Sequence, residues 1–264
     1  MSHNVLITGA SSGIGKALAL ECAKRGDTLF LCARNNDRLQ SVAKTCRELG
    51  GTVYAETIDI TNALSVKDWL YKSNLIAPIQ IVFANAGVAT GLETEENIRT
   101  TFDINVGGTV NTVLPMIEIF KEQARQQTNP GLRHIIITAS IAGYGPLKSC
   151  PSYSATKSCI KTWALALRGM LKSEGIRVSA ICPGFVRSRI TDKNTCPMPF
   201  FMEADKAARI ILRRVERNVG LIAFPYPMRL ATWFLSILPY WVNELINALL
   251  PAKIAAEKQK RHKL

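Results

Sequence analysis

Tyr153 and Lys157 stand four residues apart in the run YSATK, and Ser140 lies thirteen residues before the tyrosine. Four residues make about one helical turn, so on a helix the phenol and the ammonium share a face and can enter one cleft. A tyrosine hydroxyl titrates near pH 10, too high for easy proton exchange at neutrality. A fixed cation beside it is expected to stabilise the phenolate and lower that pKa. Ser140 adds a neutral hydroxyl able to hold a carbonyl oxygen at the same place. The trio suits proton transfer to a carbonyl or from an alcohol. By spacing alone the pair also fits an ordinary helix surface, so the chemistry depends on what else the chain supplies.

The amino-terminal run Asn4-Val5-Leu6-Ile7-Thr8-Gly9-Ala10-Ser11-Ser12-Gly13-Ile14-Gly15 supplies it. A short, branched apolar stretch leads into a Gly-Ser turn. From about Gly13 the pattern becomes helical, with Ile14, Ala17, Leu18 and Cys22 on one stripe. Strand, glycine turn and helix form a context in which the backbone can approach a pyrophosphate and a helix N-terminus can face it. The spacing is Gly-x-x-x-Gly-x-Gly rather than G-x-G-x-x-G.

Alternation continues along the chain. Strands are predicted at Val5–Thr8, Thr28–Ala33, Thr52–Thr57, Ile79–Ala84, Arg133–Ala139, Arg177–Ile181 and Leu221–Phe224. Helices are predicted to begin near Gly13, Asn36, Ala63, Glu95, Pro151 and Glu203. Unbroken apolar runs such as Ile135-Ile136-Ile137 read as strands covered on both faces. Strands alternating with helices imply an α/β fold with a parallel sheet, whose ligands bind at the carboxyl ends of the strands. With 264 residues and no linker, repeat or low-complexity block, the expectation is one doubly wound, Rossmann-type domain over 1–264.

Six segments, TGASSGIG at 8–15, ANAG at 84–87, INVGG at 104–108, Ser140, YSATK at 153–157 and PGFVRS at 183–188, together resemble the short-chain dehydrogenase/reductase family in order and spacing. The resemblance covers roughly Asn4 to Ser188. It implies a seven-stranded parallel sheet in the order 3-2-1-4-5-6-7 and an NAD(P)-dependent oxidoreductase. It casts Ser140, Tyr153, Lys157 and Asn105 as the catalytic set. Asn105 would distort its helix and hold a water next to Lys157; Asn111 is a rival that does not align with the motif. The glycine turn, with Gly9, Ser11, Ser12, Gly13, Ile14 and Gly15, would hold the dinucleotide. Asp59, followed by Ile60, resembles the contact to the adenine amino group, and Asn85, Ala86 and Gly87 resemble the turn beside the ribose. Tyr153 and Lys157 would also meet the nicotinamide half. Pro183, Gly184 and Val186 would close over it, and Ser188 stands where the family commonly has Thr. Ala84 replaces a more usual Asn.

Cofactor choice turns on the end of the second strand. An NAD site usually places a carboxylate there, whereas an arginine accommodates a 2′-phosphate. This chain has Ala33 followed by Arg34, so NADP(H) is expected in preference to NAD(H), although an ordinary solvated arginine is the alternative. The expected reaction reduces a carbonyl, or runs in reverse, with a small, lipophilic ketone or aldehyde as partner. No metal is expected, since His3, His134 and His262 show no ligand spacing. A dinucleotide-binding sensor and a membrane-surface scaffold are the alternatives.

Seven scattered cysteines without a C-x-x-C pair support neither a disulfide framework nor a zinc site and point to a cytoplasmic setting. With a strand expected at the start of the sequence, no signal peptide is expected. The charge of +13 is spread without an aromatic platform, so nucleic acid is not an expected partner. Substrate-facing loops are expected at Val88–Leu92, Ile141–Cys150 and Arg189–Met202, the last a lid over 189–202. Residues 225–264 read as an apolar helix plus a basic tail. Leu230 to Asn243 carry no charge and include Trp233, Phe234, Tyr240 and Trp241; Lys253, Lys258, Lys260, Arg261 and Lys263 follow. That combination suits shallow seating on the inner face of an anionic membrane, while the run is too short to span one. Covering the cleft or a homodimer or homotetramer face is the competing use.

Overall fold

The computed structural model describes residues 2–126, 131–193 and 197–249. Seven strands form one parallel sheet in the order β3-β2-β1-β4-β5-β6-β7. They are β1 (Asn4–Thr8), β2 (Thr28–Ala33), β3 (Thr52–Thr57), β4 (Ile81–Ala84), β5 (His134–Thr138), β6 (Arg177–Pro183) and β7 (Leu221–Phe224). The helices are α1 (Gly13–Ala23), α2 (Asn36–Glu48), α3 (Ala63–Ile76), α4 (Glu95–Phe102), α5 (Gly108–Arg125), α6 (Pro151–Met170), α7 (Ala204–Glu216), α8 (Tyr226–Ile237) and α9 (Tyr240–Leu249).

The period of two along each strand sorts its side chains between two cores. Leu6, Phe30, Val82, Ile135 and Ile137 join the layer formed with α3, α5 and α6. Val5, Ile7, Leu29, Leu31, Phe83 and Ile136 join the layer formed with α1, α2 and α7. Full burial of each such side chain is worth roughly 1.5–3 kcal/mol, so the sheet is anchored from both faces. Several helices start where a side chain caps them. Asn35, Asn62 and Thr94 accept the first free N–H groups of α2, α3 and α4.

Boundaries depart from expectation for local reasons. β4 begins at Ile81 rather than Ile79, because the Asn74 side chain takes the Ile79 N–H at 3.0 Å. β6 runs on to Pro183, since Ala180–Pro183 pair with β7. The expected single carboxyl-terminal helix is two helices. Leu238 is extended ahead of Pro239, which cannot continue a helix and restricts the residue before it. The basic run expected beyond Leu249 lies outside the described residues.

The chain leaves β1 toward β2 and later returns on the other side through β4. Loops after β1 and β4 therefore diverge and leave a crevice at the carboxyl edge, where Ser140, Pro183 and the glycine turn also fall.

Candidate active site

The glycine turn between β1 and α1 is built so that backbone comes close to its neighbours. Gly9 and Gly13 have φ of +69° and +54°, values a side chain disfavours. A Cβ on Gly9 would stand 2.8 Å from Ala86 Cα, and one on Gly13 would stand 2.9 Å from Ser188 Cβ. One on Gly15 would collide with the Gly9 carbonyl oxygen. Ser12 makes no side-chain cap to α1, so the helix presents its first N–H groups to an anion. Thr8 ties this turn to the next loop. Its Oγ1 accepts from the Asn85 and Ala86 N–H groups at 3.0 and 3.1 Å. Asn85 Nδ2 donates back to the Thr8 carbonyl at 3.1 Å.

A cleft of about 640 Å³ runs from this turn across the carboxyl edge of the sheet. Gly9, Ser11, Ser12, Gly13 and Ile14 line one wall, with Asn85, Ala86 and Gly87 opposite. Gly15 stands behind the wall as a packing glycine. At the far end of β2 the cleft meets Ala33, Arg34, Asp59 and Ile60. It also meets Arg38, which the motif search passed over. Arg38 is on the first turn of α2, where Asn35 caps its N–H at 3.0 Å. A cap residue followed by a cation one turn after Arg34 was the available signal. Asp59 accepts from the Thr61 N–H and hydroxyl at 3.0 and 2.9 Å. Asn111 donates to the Ile60 and Thr61 carbonyls, so it braces this loop.

Ser140, Tyr153 and Lys157 line the cleft at its other end. Ser140 is extended at the end of β5 and caps a short 3₁₀ turn, accepting from the Ala142 N–H at 3.1 Å. Its hydroxyl favours the ionised form of the Tyr153 phenol. Lys157 is 3% exposed and donates to the Thr138 carbonyl at 2.8 Å. Its Nζ lies 5.8 Å from the Tyr153 ring centre. The expected lowering of the phenol pKa does not hold in the protein alone. Burial pushes Tyr153 up to about 12, with the Ser140 hydrogen bond pulling the other way. Burial also brings Lys157 down to about 8, which leaves it mostly protonated at neutrality but readier to give up its proton.

Asn105 is fully buried and stands just behind the cleft wall. The helix around it widens to a π-helical turn over Asp103–Gly107 between α4 and α5, a local distortion often found at functional sites. Its Oδ1 accepts from the Val88 N–H at 2.8 Å, and Nδ2 donates to the Val88 carbonyl and Thr156 Oγ1. A Cβ on Gly87 would lie 3.0 Å from Asn105 Oδ1 and 3.3 Å from Lys157 Nζ. Only a glycine leaves that gap between them.

Pro183, Gly184, Val186 and Ser188 roof the cleft beyond β6. Gly184 is needed because a Cβ would meet Pro225 and the Met228 sulfur at 2.9 and 3.0 Å. The lid stretch is pinned at both ends. The Met202 carbonyl accepts from the Arg187 N–H and the Met202 N–H donates to the Phe185 carbonyl, both at 2.9 Å, and Arg187 pairs with Glu203 at 2.7 Å while lying over the Phe201 ring. Residues 194–196 of the expected lid lie outside the described residues. Val88, Ala89, Thr90 and Arg189 line the open end.

The long cleft, the glycine cradle with its free helix N-terminus and the cations at the end of β2 fit a nicotinamide dinucleotide. The family model for short chain dehydrogenases matches residues 3–197. An uncharacterized oxidoreductase of Myxococcus xanthus is 32% identical over 251 residues, covering 93% of this chain and 95% of that one. The human 17-beta-hydroxysteroid dehydrogenase 13 is 27% identical, over 93% of this chain and 82% of its own. Among solved structures, a short-chain dehydrogenase from Sphingobium yanoikuyae in complex with NADPH superposes with a TM-score of 0.76. It is 26% identical and covers 97% of this chain and 99% of that one. A Burkholderia phymatum enzyme in complex with NAD shares the fold, with a TM-score of 0.80 at 24% identity over 89% of this chain and 92% of its own. The chain thus belongs to the short-chain dehydrogenase/reductase family and is an NAD(P)-dependent oxidoreductase.

Proposed function

We propose that this enzyme reduces a lipophilic ketone or aldehyde with NADP(H), or oxidises the corresponding alcohol. The observation that carries the reading is the meeting of Ser140, Tyr153 and Lys157 at one end of a dinucleotide-sized cleft. The bound nicotinamide supplies or accepts the hydride. Ser140 orients the carbonyl oxygen, and Tyr153 donates its phenolic proton to that oxygen. Lys157 supplies positive charge beside the phenol and a donor for the ribose. Asn105 fixes the Val88 loop and helps hold a proton path from Lys157 to solvent. General acid catalysis of this kind contributes typically ~10² to 10⁴-fold.

NADP(H) preference rests on Arg34 and Arg38 facing the same end of the cleft, with buried Ala33 where an acid would repel a phosphate. A lipophilic substrate fits the names of relatives such as 17-beta-hydroxysteroid dehydrogenase 13. A purified sample should consume NADPH with ketones and aldehydes of rising hydrophobicity. No turnover with any member of such a panel sinks the reductase reading. Equal dissociation constants for NADPH and NADH sink the cofactor preference, and Ala33→Asp with Arg34→Leu should reverse it.

Peripheral membrane seating belongs to the same reading. Trp233, Phe234, Ile237, Trp241 and Leu245 are all more than half exposed across α8 and α9, and no charge interrupts Leu230 to Asn243. Among the described residues no helix is long and apolar enough to cross a membrane. An apolar aromatic surface ahead of a basic run matches an anionic lipid face. Flotation with anionic vesicles tests it. Phe102, Leu114, Leu165 and Met170, exposed on the π-turn flank, α5 and α6, offer a separate face for a homodimer or homotetramer. A monomeric mass by sedimentation would remove that assignment.

A further inference from the structure

Two features of α6 stand out beyond the catalytic pair. Its N-cap residue Cys150 makes no side-chain cap, and Pro151 in the first turn has no N–H to offer. The first N–H that needs a partner is that of Ser152, a residue 7% exposed and directly before Tyr153. That partner comes from a distant part of the sequence. Glu93 Oε1 accepts from the Ser152 N–H at 3.2 Å and from the Ser152 hydroxyl at 2.8 Å, and Oε2 lies 3.4 Å from the same N–H. A carboxylate is the favoured partner there, because a helix N-terminus carries partial positive charge. Charge-assisted bonds are also stronger than neutral ones.

Glu93 closes the loop that joins β4 to α4. The other end of that loop is held by Asn105 through both polar groups of the Val88 backbone. Between these two anchors lie Ala89 and Thr90, which line the cleft and belong to the loop expected to face the substrate. The loop is thus fastened at one end to the π-turn and at the other to the first turn of the helix bearing Tyr153 and Lys157.

We propose that Glu93 is a positioning residue: its latch onto Ser152 holds the 88–92 loop in register with Tyr153 and so sets how tightly the carbonyl substrate is bound. The proposal rests on the reading of α6 as the catalytic helix, and it assigns Glu93 no contact with cofactor or reacting atoms. Its effect belongs in substrate affinity, because the cofactor cradle lies on the other side of Gly87.

Amide hydrogen exchange and kinetics test it together. In Glu93→Ala the amides of 88–92 and Ser152 should exchange about tenfold faster, as expected for loss of a charged hydrogen bond. KM for the carbonyl should rise about tenfold, with kcat and the NADPH dissociation constant within about twofold of wild type. Glu93→Gln keeps an acceptor for the Ser152 hydroxyl and should recover most of the KM. Ser152→Ala keeps the N–H bond and should show a smaller effect that does not add to Glu93→Ala. Unchanged exchange in Glu93→Ala overturns the latch, and faster exchange with unchanged KM overturns its control of substrate binding. If no carbonyl is turned over by the wild type, the catalytic reading fails, while the exchange data still decide whether the latch exists. Should Glu93→Ala not fold, Glu93→Gln and Ser152→Ala carry the same comparisons.

Discussion

At the scale of single residues, the cleft places a phenol and an ammonium under opposite stresses. Burial holds the Tyr153 proton on, with a pKa of about 12, and eases the Lys157 proton off, at about 8. Such a phenol is protonated at neutrality but is a weaker acid than a free tyrosine, so its giving a proton to a carbonyl oxygen calls on Ser140 and Lys157 to offset the effect of burial. Tyr153→Phe removes only that oxygen, so turnover should fall by at least ~10²-fold while NADPH affinity stays within a few-fold. Near-normal steady-state rates would refute the assignment. The lysine makes a second, thermodynamic prediction. Between pH 8 and the ordinary lysine value of 10.5 the unfolded chain holds a proton that the folded chain has released. Unfolding free energy therefore contains a component that rises with pH across that window, on the order of 3 kcal/mol in full. Buried Cys22, Cys32, Cys46 and Cys182 act in the opposite sense above about pH 9. The component is thus read as the difference between wild type and Lys157→Met in urea unfolding. Parallel curves for the two proteins from pH 8 to 10 would show that the ammonium is not penalised by burial.

At the scale of elements, two close approaches between backbone segments make the site. The first is the β1–α1 turn, where Gly15 faces the Gly9 carbonyl without room for a Cβ. The clash is with backbone, so a small side chain cannot rotate out of it. Gly15→Ala should lower stability by about 1–3 kcal/mol and weaken NADPH binding by at least ~10-fold, measured by urea unfolding and fluorescence titration. Wild-type affinity in this variant would mean that the turn does not form the cradle. The second is the junction of α4 and α5. The π-turn there brings Asn105 against Val88 and Thr156, joining the β4 loop to α6. An uninterrupted α-helix would point that side chain elsewhere.

At the scale of the molecule, the sheet is closed by core on both faces, and α8 and α9 carry an apolar, aromatic surface that remains exposed. Trp233 and Trp241 are 54% and 68% exposed. The inner side of α8 packs on the 3₁₀ turn after Ser140 and on β7, and Met228 on that side adjoins Gly184 in the roof of the cleft. A lipophilic carbonyl leaving a bilayer would meet the enzyme here. The protein should float with anionic vesicles at low salt and be released at high salt. Its tryptophan emission should shift to the blue on binding, and Trp233→Lys with Trp241→Lys should abolish both signals. Unchanged emission with saturating anionic vesicles at low salt would exclude membrane seating.

Much of this was legible in the chain because the signals are local. Strand and helix positions follow from hydrophobic period and from the Asn35, Asn62 and Thr94 caps, which depend only on neighbouring residues. The glycine turn, Ser140 and the Tyr153–Lys157 spacing were readable for the same reason, as was the absence of an acid after β2. Sequence could not supply the contacts that close over distance. The Thr8 clasp on Asn85 and Ala86 and the Glu93 latch on Ser152 each pair groups whose separation in sequence carries no pattern. Nor could it give the sign of the Tyr153 shift. Proximity of a cation argued downward, but burial raises the phenol's pKa, and only the assembled tertiary structure fixes how deeply the phenol and the ammonium are buried.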